Sequence, residues 1–377
     1  MSWSSGRWWT RAGLGVLALG LVQGCSGPTR GVVDGRDVHA HASPSPAPSP
    51  DPSAAPVQPS PSPSPSESPL AVLPSPDAGV PEVSPSPTPS PSPSVAAGPL
   101  YRGKPLDETL KALAEKPVVR VGKRFNKTEP VYHIVLADGW EIAFKPSTRP
   151  RPGMWRNDVM AWEASRLLGF WERVPPATGR LIPLALLPSK PGDDLKPDPQ
   201  HKDMVWGSAI YWMPVLERSH LAGEAGMKRW DGWLSQAVKP TVEWSAEAEQ
   251  TSTLIVFDYL QGNIDRFDHP SNIQVDEHGV LVYRDNNEAW MSGGMKSLNV
   301  NKELLKMVQR FSRRTFEGLK RADSAALAAA AAPWEAAGRP LIDPTHLEQY
   351  ERRRRFVIGY IEGLISRYGE AKVLIWP

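Results

Sequence analysis

Cysteine is almost absent. Cys25 stands alone among 377 residues, which excludes an intrachain disulfide and any cysteine-based zinc site. An excess of one charge sign is missing too. The formal net charge is +2, so the chain is not a strongly basic nucleic-acid binder, and no nucleic-acid partner is expected. The window Ser43–Ser94 lacks Lys and Arg altogether, while holding 19 of the 41 prolines, 15 serines and four acids. Such a stretch cannot bury enough apolar surface to offset its ordering entropy and reads as a linker.

Arg7 and Arg11 precede an apolar run of eleven residues, Ala12–Val22. That is too short for a permanent bilayer span and fits the h-region of a signal peptide. Leu21-Val22-Gln23-Gly24-Cys25 then resembles the lipobox of bacterial lipoproteins. The resemblance implies removal of residues 1–24 and lipidation of Cys25. It also implies a lipid-anchored place in the bacterial cell envelope, at the outer membrane given Ser26. The plainer alternative is a secretory signal with an incidental cysteine. Residues 25–97 read as the lipidated cysteine and its tether. In polyproline II form, at about 3.1 Å per residue, the Pro/Ser window would reach roughly 160 Å.

The remainder, 98–377, is long enough for a large core. Periodicity predicts a helix over Pro105–Lys116, then strands Val118–Phe125, Val131–Ala137 and Trp140–Lys145, the last two joined at Asp138-Gly139 as a hairpin. A helix over Asn157–Gly169, a Pro-rich loop and a strand near Ser208–Pro214 follow. Longer helical patterns cover His220–Val238, Ala246–Gly262, Lys302–Ala331 and Pro344–Tyr368, with short strands Asn272–Val275 and Val280–Arg284 between the second and third. The basic run Arg352–Arg355 reads as a solvated helix face, and the twelve tryptophans beyond residue 100 as packing residues. The expectation is an α+β fold of two unequal lobes with a cleft, 98–216 β-rich and 217–377 mainly helical.

Chemistry-bearing residues gather around the short hairpin: Gly262-Asn263-Ile264-Asp265-Arg266, then Asn272, then Asp285-Asn286-Asn287. Two carboxylates and a carboxamide at the ends of short strands suit Mg²⁺ or Mn²⁺. A loop Asp, an Asn shortly after and a second Asp form the set used in phosphoryl transfer, which also needs a strand Lys and a helix acid. Upstream, Lys145 ends the strand Ile142-Ala143-Phe144, and the next helix carries Asp158 and Glu163.

Phe257-Asp258-Tyr259-Leu260 followed by Gly262-Asn263-Ile264-Asp265-Arg266 resembles the catalytic loop of the Fam20/Four-jointed secretory kinases. More widely it resembles the atypical group that includes HipA and type II phosphatidylinositol 4-kinases. Phe144-Lys145-Pro146, Leu167-Leu168-Gly169-Phe170 with Val174-Pro175-Pro176-Ala177-Thr178-Gly179-Arg180, and Asp285-Asn286-Asn287 are similar to three further motifs of that group. The resemblance covers Val118 to Trp290. It implies a bilobal protein-kinase-like fold and transfer of a phosphoryl group from ATP, with Mg²⁺ or Mn²⁺, to a hydroxyl of a protein, glycan or lipid. By the same resemblance Lys145 would hold phosphates, Asp265 would be the base, Asn272 and Asp285 would bind metal, and Ile210–Leu216, with Met213, would form the hinge that receives adenine. Asp158 is favoured as the partner of Lys145. Glu163 lies five residues on, about 140° around the helix.

The chain departs from the family pattern in three ways. Phe267 stands where the family often has His. Asp265 and Asn272 are seven apart rather than five. The animal secretory members carry disulfides, which a chain with Cys25 alone cannot form. Val118–Phe125 also holds no Gly-rich phosphate loop, Gly122 being its lone glycine, as is often so in the atypical group. Two other classes of function stay open: a nucleotide-binding pseudokinase or scaffold, and an envelope lipoprotein whose tryptophans bind glycan.

Overall fold

The computed structural model describes residues 99–125, 129–239, 241, 244–263, 265–268, 270–290 and 295–377. Cys25, the signal segment and the Pro/Ser tether lie outside the described residues. Strands β1 (Leu100–Tyr101) and β2 (Lys104–Pro105) form a small antiparallel pair that leads into helix α1 (Leu106–Glu115). Then come β3 (Val118–Phe125), β4 (Val131–Leu136) and β5 (Glu141–Pro146). Helix α2 (Trp155–Leu168) is followed by β6 (Ala177–Pro183) and β7 (Met204–Tyr211). These five longer strands make one antiparallel sheet in the order β3-β4-β5-β7-β6.

The alternation expected of a two-faced sheet sets which residue points where. Tyr132, Ile134, Leu136, Ile142 and Phe144 share a buried cluster with Ala112 and Leu113 of α1. The intervening Ala143 and Lys145 therefore face the other side, toward α2, which packs on β6 and β7. The Asp138-Gly139 turn forms as expected, with Asp138 and Gly139 at φ of 58° and 72°.

The second half runs β8 (Glu217–Arg218), α3 (Gly223–Leu234), α4 (Ser245–Gln261), the short α5 (Asp265–Asp268), β9 (Gln274–Val275) and β10 (Leu281–Val282). It ends with α6 (Met295–Met307), α7 (Arg313–Arg321), α8 (Ser324–Ala336), α9 (Pro344–Tyr368) and α10 (Glu370–Val373). Its core is built on α4, whose residues Leu254–Leu260 are all buried. None of the described helices is long and apolar enough to cross a membrane.

The structure corrects the sequence-based reading in four places. The Pro-rich loop contains β6, which pairs with β7 over seven residues from Ala177↔Ile210 to Pro183↔Met204. Pro183 is tolerated because β6 is an edge strand and the proline ends it. Strand β7 starts at Met204 rather than near Ser208, and Gly207 lets the backbone approach Phe144: a Cβ there would lie 2.5 Å from that ring. The helix expected over Lys302–Ala331 is three helices. Ser312 caps α7 by accepting from the Thr315 amide, and Asp323 caps α8 by accepting from the Ala326 amide, so the chain restarts twice. The run Arg352–Arg355 is not simply a solvated face. Arg353 is buried and donates to the Leu260 carbonyl at 2.7 Å, tying α9 to the end of α4.

Candidate active site

Lys145 is aimed by the strand that carries it. With Ile142 and Phe144 locked into the core, the pleat turns Lys145 toward the first turn of α2 and the loop after β10. Its Nζ donates to Asp158 Oδ1 at 3.2 Å, to Asp285 Oδ1 at 2.7 Å and to Asn287 Oδ1 at 3.5 Å. Asp158 is one methylene shorter than glutamate, yet it reaches. It is held by Ser208 Oγ at 3.2 Å and by the Asn286 amide at 3.1 Å. Burial works against the charge of Lys145, but Asp158 and Asp285 hold the ammonium above the usual lysine range. Burial pushes the Asp158 carboxyl up, whereas the ammonium beside Asp285 holds that carboxyl down at about 2.

The loop after α4 is built by a helix stop and a buried ion pair. Gly262 takes a left-handed φ of 69° and its amide returns to Tyr259 O, ending α4. The Asn263 carboxamide then accepts from the Asp265 amide at 3.2 Å, and Asn301 holds the Asn263 carbonyl at 2.7 Å. Asn272 Nδ2 donates to Asp265 Oδ2 at 2.7 Å. The seven-residue spacing is therefore absorbed, through α5 and a 3₁₀ turn over Pro270–Asn272.

Beneath this loop Arg266 is fully buried. It donates to Asp258 Oδ2 at 2.7 Å, Asn286 Oδ1 at 2.9 Å, Arg284 O at 2.6 Å and Asn272 O at 3.4 Å. Both side chains of the Arg266–Asp258 pair are 1% exposed. Asp285 has a left-handed φ of 62°, a conformation that Asp tolerates better than most residues. That turn sends the Asp285 carboxylate to Lys145 and the Asn286 side chain to Arg266. A single guanidinium thus joins the loop of Asp265 to the loop of Asp285.

Lys145, Asp265, Asn272 and Asp285 line one cavity of about 540 Å³, together with Glu129, Arg151, Trp155, Asn287 and Glu288 among others. Glu163 is not brought there. Its carboxylate accepts from Arg166 at 3.1 Å on the same helix, so α2 turns it away from Lys145. Met213 is buried beside Tyr101, whose hydroxyl donates to its sulfur at 3.6 Å, and it is not among the cavity-lining residues. Asp258, Asn287, Glu129 and Arg151 received no role from sequence. A carboxylate inside the apolar run Phe257-Asp258-Tyr259-Leu260 was the one available signal, since an acid there must be paired.

Among the described residues no group of three or more His, Cys, Asp or Glu could hold a metal ion. Mg²⁺ and Mn²⁺ ask for less, because they keep several waters and use substrate phosphates beside one or two carboxylates. Asp285 meets that need as an ionised carboxylate on the cavity wall. Asn272 has its Nδ2 engaged with Asp265, which leaves its Oδ1 available as a second hard oxygen. The donor set fits such an ion.

No protein-family model matches the chain, and no curated protein sequence matches it. Solved structures do. The Golgi casein kinase shares 16% identity at a TM-score of 0.52, covering 71% of this chain and 79% of that one. The same kinase with Mn/ADP bound shares 17% at 0.52, covering 71% and 78%. The hydra Fam20 with sugar shares 18% at 0.52, covering 71% and 91%. At this identity the likeness is one of fold. The chain has the bilobal α+β fold of the Fam20 kinases, with an antiparallel sheet followed by a helical half.

Proposed function

We propose that the protein is a metal-dependent phosphotransferase that moves the γ-phosphoryl group of ATP to a hydroxyl of a protein, glycan or lipid. One observation carries this reading: Lys145, 120 residues upstream of Asp265, lines a single cavity with Asp265, Asn272 and Asp285, the set of groups that phosphoryl transfer uses. The fold shared with a kinase solved with Mn/ADP supports the choice of nucleotide and metal.

Lys145 binds the nucleotide phosphates as a charge kept on by two carboxylates. Asp285 and Asn272 would hold Mg²⁺ or Mn²⁺, which when bound neutralises charge on the phosphates. Asp265, oriented by Asn272, accepts the proton of the acceptor hydroxyl. In that step the acceptor oxygen bonds to the γ-phosphorus, the bond from phosphorus to the bridging oxygen breaks, and ADP leaves with that electron pair. Arg266 reaches the Asn272 main chain but none of these side-chain groups, and acts by holding the two loops in register.

Lipid anchoring through Cys25 and a place at the bacterial outer membrane belong to the same proposal. They rest on the Leu21–Cys25 motif and the Pro/Ser tether. The test is incubation of the purified protein with γ-labelled ATP, metal and cell-envelope extract. Label should enter an acceptor only with metal present. Nucleotide binding without transfer to any acceptor would leave a pseudokinase in its place.

A further inference from the structure

The cavity has more anionic than cationic lining. Its carboxylates are Glu129, Asp193, Asp265, Asp285 and Glu288, and its cations are Lys145 and Arg151. Asp193 is already paired with Arg124. A nucleoside triphosphate carries more negative charge than one ammonium and one divalent cation neutralise, so the second cation merits a role.

Arg151 sits six residues after Lys145, on the loop between β5 and α2. Its Nη1 donates to Glu129 Oε1 at 2.8 Å and to Glu288 Oε1 at 2.5 Å. Its Nε and Nη2 have no hydrogen-bond partner among the described residues. The free edge of the guanidinium can therefore take two oxygens of one phosphate, the geometry in which arginine outperforms lysine.

The two glutamates hold it loosely. Arg151 is 46% exposed, Glu129 26% and Glu288 23%, and ion pairs so open to water are weak. A relay also links this arginine to the phosphate lysine. Lys145 Nζ donates to Asn287 Oδ1 at 3.5 Å, and Asn287 Nδ2 donates to Glu129 Oε2 at 3.3 Å. Anything that draws Lys145 away from Asn287 loosens the partner of Glu129, and with it one tie on Arg151.

We infer that Arg151 is a second phosphate-contacting cation, parked on Glu129 and Glu288 and transferred to the terminal phosphoryl group when a nucleoside triphosphate enters. This deepens the phosphotransferase reading and rests on it. It assigns Lys145 to the inner phosphates and Arg151 to the group that is transferred. Nucleoside diphosphate should not engage Arg151.

The test compares wild type, Arg151→Ala and Arg151→Lys in titration calorimetry with Mg²⁺ and either ADP or a non-hydrolysable ATP analogue. Arg151→Ala should lose about tenfold to a hundredfold in affinity for the triphosphate, as expected for hydrogen bonds to a charged group. Its ADP affinity should change by less than about twofold. Arg151→Lys should recover part of the loss, since charge is kept while the fork is not. Equal losses for both nucleotides, or no loss for either, with wild type binding both, would overturn the assignment while leaving the phosphotransferase reading intact. Failure of wild type to bind either nucleotide would overturn both.

Discussion

Arg266→Met removes the guanidinium that joins the loops of Asp265 and Asp285 while keeping a chain of similar length. The side chain and its partner Asp258 are each 1% exposed, so water cannot replace what is lost. Breaking one half of a buried ion pair costs about 3–5 kcal/mol, because the remaining charge stays buried. The carbonyls of Arg284 and Asn272 and the Asn286 carboxamide also lose a donor, which places the loss at the upper end of that range. Taking ~5 kcal/mol and a urea slope of ~3 kcal/mol/M, the unfolding midpoint should fall by roughly 1.7 M.

The pH dependence tests the cause. Burial pushes the Asp258 carboxyl up, and Arg266 opposes that push. In wild type the net result is a carboxyl above the usual aspartate range, and without Arg266 it rises further. The folded variant therefore holds the Asp258 proton more tightly than folded wild type and than the unfolded chain, whose aspartates titrate near ~3.9. More protons bound in the native state means that stability rises as pH falls, by up to about 1.4 kcal/mol per pH unit, between the folded and unfolded values. The gap between wild type and Arg266→Met should therefore narrow on mild acidification. Adding Asp258→Asn to Arg266→Met should recover stability, because no buried charge is left. Urea titrations from neutral pH toward 5 that found the single variant within ~0.5 kcal/mol of wild type, the ordinary scatter of surface substitutions, would rule out a costly unpaired charge. A gap that widened in acid would rule it out equally.

Three further outcomes follow from the geometry. Lys145→Ala should weaken nucleotide binding, and Asp158→Ala should mimic it because Asp158 holds the ammonium. Glu163→Ala should have a mild effect, since its partner is Arg166; calorimetry with Mg²⁺–ADP ranks the three, and the opposite order for the two acids would count against the pairing. Cys25→Ala should leave the protein soluble after a high-salt wash of membranes, since stable anchoring needs more than one acyl chain. Retention of that variant on membranes would remove the lipoprotein proposal.

Much of this was legible because local rules and tertiary needs agreed. Asp138-Gly139 demanded a turn, Pro344 after Asp343 marked the start of α9, and alternation around Ile142 and Phe144 fixed the side on which Lys145 emerges. The order of the motifs then placed Asp158 beside Lys145 and Asp265 beside Asn272. Strand β6 was hidden because Pro175 and Pro176 before it and Pro183 at its end read as loop, and only pairing with β7 makes it a strand. The caps at Ser312 and Asp323 were present in the sequence, but the apolar and alanine-rich periodicity around them masked the two breaks. Glu129, Arg151 and Asn287 were illegible for another reason. Their importance lies in contacts between segments, 136 residues apart for Arg151 and Asn287 and bridged through Glu129, and no local pattern encodes those contacts.

Asp265 and Asp285 are assigned different jobs in one cavity, and a paired thermal-shift and turnover measurement separates them. Ligand at a hundred times its Kd adds about 2.7 kcal/mol of stability. Wild type and Asp265→Asn should both gain that increment with ATP and metal, while Asp285→Asn should gain much less. Transfer from γ-labelled ATP should be roughly 10²–10⁴-fold slower in Asp265→Asn, the usual contribution of a positioned base, and lost with binding in Asp285→Asn. If Asp285→Asn binds and turns over like wild type, the Lys145–Asp285 contact is structural and the phosphotransferase account is contradicted.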